Sequence, residues 1–318
     1  MPEEEADKPQ PKPLLTAEQQ IAHMKSKGIT FDLCSEEEAA TYLRDKCQFF
    51  RVYAYRKSFD KHVGGKRDGQ YANLDFGHLR ALSGLDCMLR DALLPMTLDI
   101  EHFAKVRLLV AAEDHGEDGY SVMHDYLASA SERQRSYLDA ELDRRERDPY
   151  VGTVVRKYRD NIPVWAFCEA VPLGAVSGLV KFCAERWADS ELDEIHYLLK
   201  YTRSVRNFTA HGACSLNELS GPSPAMRPPA VLVNALKDAG ISRRLRSKWL
   251  KGARMVQMCA MLYLYNEVVP DGAVRSRRVD ALQSLFDAVH GCLVPPENQA
   301  IAALLFAERL TVALGLLR

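Results

Sequence analysis

The chain has 318 residues, enough to bury a sizeable core in one large domain or two smaller ones. Its 42 basic and 43 acidic residues leave a net charge of −1, so no global field draws it to nucleic acid, and any RNA or DNA contact must be a local patch. The eight cysteines include no C-x-x-C pair, and Cys168, Cys183 and Cys259 sit inside apolar helical patterns, which reads as buried free thiols in a reducing cytoplasm.

The opening MPEEEADKPQPKP has neither a basic region nor an apolar run, so no secretory signal is expected, and residues 1–13 are expected to be disordered. No uninterrupted apolar stretch is long enough to predict a membrane span. Thr16 opens a capping box with Gln19, predicting a short helix that Gly28 ends. Ser35 does the same with Glu38, and its helix is expected to run towards Phe49. The segment FFRVYAYRKSF at 49–59 is aromatic and basic and precedes a loop, HVGGKRDGQ, at 62–70.

From Phe76 to about Ala112 the apolar residues keep helical spacing, and Pro95 is expected to kink or divide this long helix. A Gly/Asp-rich stretch at 114–119 leads to a helix pair. Its second member, SERQRSYLDAELDRRERD at 131–148, alternates both charge signs, as a solvated face does. Residues 162–183 are apolar almost all round, which marks a central helix, interrupted by Pro172 and Gly174.

The stretch 191–217 carries the chemistry. Leu192, Ile195, Leu198, Leu199, Thr202, Val205 and Phe208 recur at spacings of three and four, predicting an amphipathic helix that Gly212 caps. Arg203, Arg206, Asn207 and His211 gather in its last turns. Asn207 and His211 lie four apart and share a face, while Arg206 lies about 140° from His211 around the axis and must reach it by length. An imidazole with an amide and a fixed cation nearby suits phosphate chemistry. GPSPAMRPP at 221–229 reads as a linker or tight loop, and further helical patterns follow at 230–239, 242–268, 273–290 and near 297–316. With no period-2 run and no repeat, the chain is read as all-α: a tail at 1–13, an N-terminal helical segment at 14–70, and a helical domain at 71–318.

Other residues admit plainer roles. Arg56 and His62 also fit an arginine-to-histidine spacing, but at the edge of a loop. Glu101 and Lys105, four apart, make either a surface ion pair or a support of the cleft. Tyr53 and Tyr55 read as core aromatics or as platforms for stacked bases. His102, His115 and His124 lack zinc-ligand spacing, and there is no phosphate-binding glycine loop and no G-x-S-x-G turn, so neither metal nor cofactor is expected.

Five segments, in order, resemble a known family. They are KPLLTAEQQIAHMKSKGI at 12–29, FFRVYAYRKSF at 49–59, LDCMLRDALL with DIEHFAKV at 85–94 and 99–106, PVWAFCEAVPLGAVSGL at 163–179, and RNFTAH at 206–211. Together they are similar to the Abi-like family of bacterial abortive-infection proteins, of the AbiD/AbiF type, within the HEPN superfamily of helical ribonucleases. Asn217 stands in the place of a further family asparagine, and Gly212 stands where the family usually has a second histidine. The resemblance implies a HEPN-like helical bundle with an N-terminal extension and additional C-terminal helices. It also implies a toxin-like, metal-independent endoribonuclease acting in antiphage defence. In that chemistry His211 serves as general base or acid, Arg206 holds the phosphate, Asn207 orients the histidine or the ribose, and Arg203 extends the grip on the phosphate. A symmetric homodimer with a composite cleft is implied too, together with a restraining partner, either a regulatory noncoding RNA or an antitoxin-like protein. The alternative is a non-catalytic RNA-binding or adaptor protein on the same fold.

Overall fold

The computed structural model describes residues 13–217, 219, 221 and 226–317; of the expected disordered tail only Pro13 falls among them. Both predicted capping boxes form. Thr16 and Gln19 exchange backbone and side-chain hydrogen bonds of 2.9 and 3.3 Å to start α1 (Ala17–Ser26), and Ser35 with Glu38 starts α2 (Glu36–Asp45). α2 stops short of Phe49, because Gln48 turns extended, at ψ 142°, and α3 (Phe49–Ala54) begins afresh before passing into a 3-10 turn at Tyr55–Ser58.

α4 (Phe76–Asp114) runs 39 residues without dividing at Pro95. A proline inside a helix costs roughly 3 kcal/mol. Here Leu93, Met96 and Ile100 around it are fully buried. Each burial is worth about 1.5–3 kcal/mol, so packing outweighs the missing hydrogen bond. α5 (Ser121–Ser129), α6 (Glu132–Glu146) and α7 (Gly152–Tyr158) follow, and α6 buries only Leu138 and Leu142, leaving its charges in solvent as expected. The apolar stretch 162–183 forms two helices, α8 (Val164–Ala170) and α9 (Leu173–Trp187), with Pro172 as the N-cap of the second.

α10 (Ser190–Ala210) is the predicted amphipathic helix. Beyond it lie α11 (Ala230–Asp238), α12 (Arg243–Trp249), α13 (Ala253–Val268), α14 (Ala273–His290) and α15 (Gln299–Ala313). The continuous pattern expected at 242–268 is therefore two helices. Gly252 separates them because the chain crosses there at Leu219 and Gly221; a Cβ at 252 would meet the Leu219 carbonyl oxygen at 2.4 Å.

The described residues contain fifteen α-helices and no sheet, only isolated bridges at Thr30–Asp75 and Lys61–Tyr71, and the protein is all-α. α10 packs against α4, α9 and α13, α14 lies along α4, and α15 covers α13 and α14. One apolar cluster extends from Ala17 to Leu317. α4 and α10 run antiparallel: Asp86 meets the chain just past the end of α10, and Arg107 pairs at 3.7 Å with Glu191 in its first turn. Among the described residues no helix is long and apolar enough to cross a membrane.

All eight cysteines are free; Cys34, Cys168, Cys183 and Cys259 are buried and Cys87 is exposed. Burial pushes the thiols of Cys168 and Cys183 up to about 12, which suppresses the reactive thiolate. Maleimide labelling of the native protein, read by mass spectrometry of peptides, is expected to modify Cys87 first and the four buried cysteines only on denaturation. Early labelling of Cys259 would contradict this packing.

Candidate functional site

α10 is held rigidly on one side and left free on the other. Asp189 caps its start, accepting from the Glu191 and Leu192 amides at 2.9 and 3.0 Å. Leu192, Ile195, Leu198, Leu199, Thr202 and Val205 form the buried stripe. At its far end the Gly212 amide donates to the Thr209 carbonyl at 3.1 Å, and the Ala213 amide to the Phe208 carbonyl at 3.0 Å. Those two bonds are a Schellman closure, and Gly212, at φ +62°, takes the left-handed position that it requires. His211 is thereby the C-cap residue.

Arg203, Arg206, Asn207 and His211 are all exposed. Arg203, Asn207 and His211 succeed one another at four-residue intervals and so line one face, with Arg206 flanking it next to Arg203 and about 140° around the axis from His211. Among the described residues no hydrogen bond or ion pair engages any of these four side chains. One turn back, the Lys200 ammonium lies 3.4 Å from the ring centre of half-exposed Tyr197. The Arg203 guanidinium rests on Gly174 at the start of α9, where a Cβ would stand 3.0 Å from its Nη1. A strip of cations with one imidazole and one carboxamide thus faces solvent. The clefts of about 580 and 630 Å3 open elsewhere, one beside Lys57, Trp249 and Asn298 and the other between α1 and α2.

Behind this strip sits a residue that sequence reasoning missed. The Asp86 carboxylate is fully buried. Its Oδ1 accepts from the Ser215 and Leu216 amides at 2.7 and 3.0 Å, and its Oδ2 accepts from the Tyr55 hydroxyl at 2.9 Å and from the Arg90 guanidinium. A buried carboxylate costs several kcal/mol unless its oxygens are satisfied, and four donors satisfy this one. From the opposite side Arg254, in the first turn of α13, donates to the Cys214 carbonyl at 3.2 Å and to the Asn217 carbonyl. The segment 213–217 is gripped through its amides by α4 and through its carbonyls by α13. The D-x-x-L-R spacing of Asp86 and Arg90 was the available signal, although it reads equally well as a surface ion pair.

The remaining candidates separate. Tyr55 is buried against Asp86, so it anchors the site rather than stacking on bases. Asn217 enters the grip through its backbone oxygen. Glu101 and Lys105 pair with each other at 3.3 Å, about 22 Å further along α4 from Asp86, and are not brought to His211. Arg56 lies over the Tyr53 ring at 3.8 Å and donates to its carbonyl at 2.6 Å, a structural role. Arg51, which the sequence reading did not single out, does reach the site: a Cβ at 212 would lie 2.7 Å from its Nη2. Among the described residues no group of three His, Cys, Asp or Glu side chains is placed to hold a metal ion.

Removing the carboxylate in Asp86→Ala strands a guanidinium and two amides, and is expected to lower the unfolding free energy by about 3–5 kcal/mol in a urea titration. Tyr55→Phe leaves three donors in place and is expected to cost about 1.5–3 kcal/mol. Burial, reinforced by the Asp86 charge, also raises the Tyr55 phenol far above its ordinary value. The folded state then keeps a proton that the unfolded chain releases. Stability present below pH about 10 is therefore lost as pH rises beyond it, and Tyr55→Phe should flatten that loss between about pH 9 and 11. An unchanged alkaline slope in the variant would remove Tyr55 from the account.

No curated protein matches the sequence, and no solved structure does. The sequence pattern of the Abi-like proteins matches residues 42–217, more than half of the chain, taking in the Tyr55 turn, Asp86, the whole of α10 and the Arg254-gripped segment up to Asn217. The chain belongs to the Abi-like protein family.

Proposed function

We propose that this protein is an antiphage, toxin-like endoribonuclease acting in the cytoplasm, which cuts RNA without a metal at a HEPN-type site formed by Arg206, Asn207 and His211. Membership of the Abi-like family supports the role in abortive infection. The observation that carries the catalytic reading is the end of α10, where arginine, carboxamide and imidazole stand exposed and unengaged on a backbone held from two sides. Rigid support with free functional groups is what a preorganised site requires.

In the proposed reaction the ribose 2′-oxygen attacks the adjacent phosphorus while its proton passes to a basic imidazole. The bond from phosphorus to the 5′-oxygen breaks, and that oxygen takes a proton from an acid. The products are a 2′,3′-cyclic phosphate and a 5′-hydroxyl. Arg206, with Arg203, holds the phosphate and offsets charge growing on its oxygens, and Asn207 orients the ring or the ribose. One imidazole cannot give and take a proton in the same step, so the second His211 comes from a second copy in a symmetric homodimer. A partner, RNA or protein, restrains the activity. The exposed strip also suits an RNA-binding adaptor, which is the second reading.

Purified protein is expected to cleave single-stranded RNA in EDTA and leave cyclic phosphate ends, with His211→Ala slower by about 100-fold or more at undiminished RNA affinity. Equal cleavage by both proteins would remove His211 from the chemistry. Equal binding with no cleavage by either would favour the adaptor.

A further inference from the structure

Arg51 projects from α3, about 160 residues away in sequence from His211, yet its guanidinium lies against Gly212. From the 2.7 Å approach and standard backbone dimensions, its Nη2 is within about 8 Å of the His211 Cα. The side chain is half-buried. Two features account for its place. Gly212 has no side chain to exclude it, and the C-terminal end of α10 carries the partial negative charge of its carbonyls.

Neither feature satisfies its hydrogen bonds. A guanidinium has five N–H donors, and those withdrawn from water need acceptors. The two arginines that serve the same segment show what engagement looks like: Arg90 is paired with Asp86, and Arg254 holds two carbonyls. Arg51 has no hydrogen bond or ion pair among the described residues. The carboxylate that grips the adjoining segment, Asp86, is already filled by four donors. A partly desolvated, uncommitted fork at the end of α10 is set to take an anion from outside the chain, and a phosphodiester oxygen fits the fork.

We propose that Arg51 is a phosphate-binding residue of the α10 site, holding a backbone phosphate of single-stranded RNA beside His211. The identity of the ligand rests on the ribonuclease reading above. Arg51 is a binding group here, so its loss weakens substrate affinity before it slows the chemistry.

The test uses the full chain with Arg51→Ala and Arg51→Lys, and a 2′-O-methylated single-stranded RNA oligomer that cannot be cut. Affinity is measured across a salt series. Arg51→Ala is expected to bind about tenfold more weakly, and the slope of log affinity against log salt should shrink by about 0.7, the loss of one phosphate contact on a single strand. Arg51→Lys restores the slope because it restores the charge. On cleavable RNA, Arg51→Ala is expected to raise KM about tenfold with kcat little changed, unlike His211→Ala, which loses kcat. A residue that merely caps the helix would shift the melting temperature and leave affinity and slope at wild-type values, and that result overturns the proposal. If Arg51→Ala does not fold, Arg51→Gln, which keeps the stem and removes the charge, takes its place. Should the wild type cut no RNA while Arg51→Ala still loses affinity and slope, the nuclease reading falls and the phosphate site stands. A wild type that binds no RNA overturns both.

Discussion

A carboxylate taken out of water has to be surrounded by donors, and the way Asp86 meets that demand organises the centre of this protein. Its four partners come from three parts of the chain: Arg90 on α4, Tyr55 in the turn after α3, and the Ser215 and Leu216 amides beyond α10. None can leave without stranding charge in the core. The ends of α3 and α10 are therefore tied to one point on α4, and His211, four residues before Ser215, inherits that fixed position. Asp75 repeats the device at the start of α4. It accepts from the Gly77 amide at 2.7 Å while binding the Thr30 hydroxyl at 2.8 Å and the Asp32 amide at 2.7 Å, which ties the connection between α1 and α2 to the same helix. α4 thus acts as the frame, with a buried aspartate at two of the places where other segments are fastened to it.

What could be read from the sequence follows from the range of the interactions. Capping boxes at Thr16 and Ser35, the stripe of α10 and the glycine at its end are local, settled within four or five residues, and each was legible. The Arg206–His211 motif falls at the end of the helix expected from that stripe. Asp86 was not legible as a hub, since Ser215 is 129 residues away and an aspartate four before an arginine looks like any helix-surface pair. Tyr55 was assigned to the site, but its role depends on the same distant carboxylate. Gly252 inside an apolar helical pattern gave no sign of the crossing chain that splits α12 from α13, and Pro95 looked like a break because the burial around it was invisible.

The exposed strip shows the opposite economy. Arg203, Arg206 and Lys200 with Arg51 concentrate positive charge in a chain whose total is −1. Neighbouring members of the row, such as Arg203 and Arg206 three residues apart, repel one another within the roughly 8 Å over which charge is screened at physiological ionic strength, so their pairing adds no stability to the fold. Other arginines are neutralised: Arg186 meets Glu117 and Asp125 at 2.7 Å each, and Arg278 meets Asp99 at 2.8 Å. Those pairs serve stability, whereas Arg203, Arg206 and Arg51 carry no ion pair among the described residues. Stability for α10 comes from its buried stripe and its two-sided grip, which frees its outer face from any structural duty.

That separation bears on how a single imidazole per chain is used. On the proposed reading, proton transfer in both directions needs two groups, and among the described residues the strip offers one histidine with no carboxylate, tyrosine or cysteine beside it free to act as the other: Asp86 is buried and saturated, Tyr55 is held on it, and burial and the Asp86 charge push the Cys214 thiol up to about 11. On that reading the chain around His211 would supply binding and orientation but only half of the acid–base pair. A half-complete site on an exposed cationic face would then be unsuited to work alone and well suited to meet its own copy, because a two-fold axis would bring the missing imidazole and enclose the phosphate with one operation.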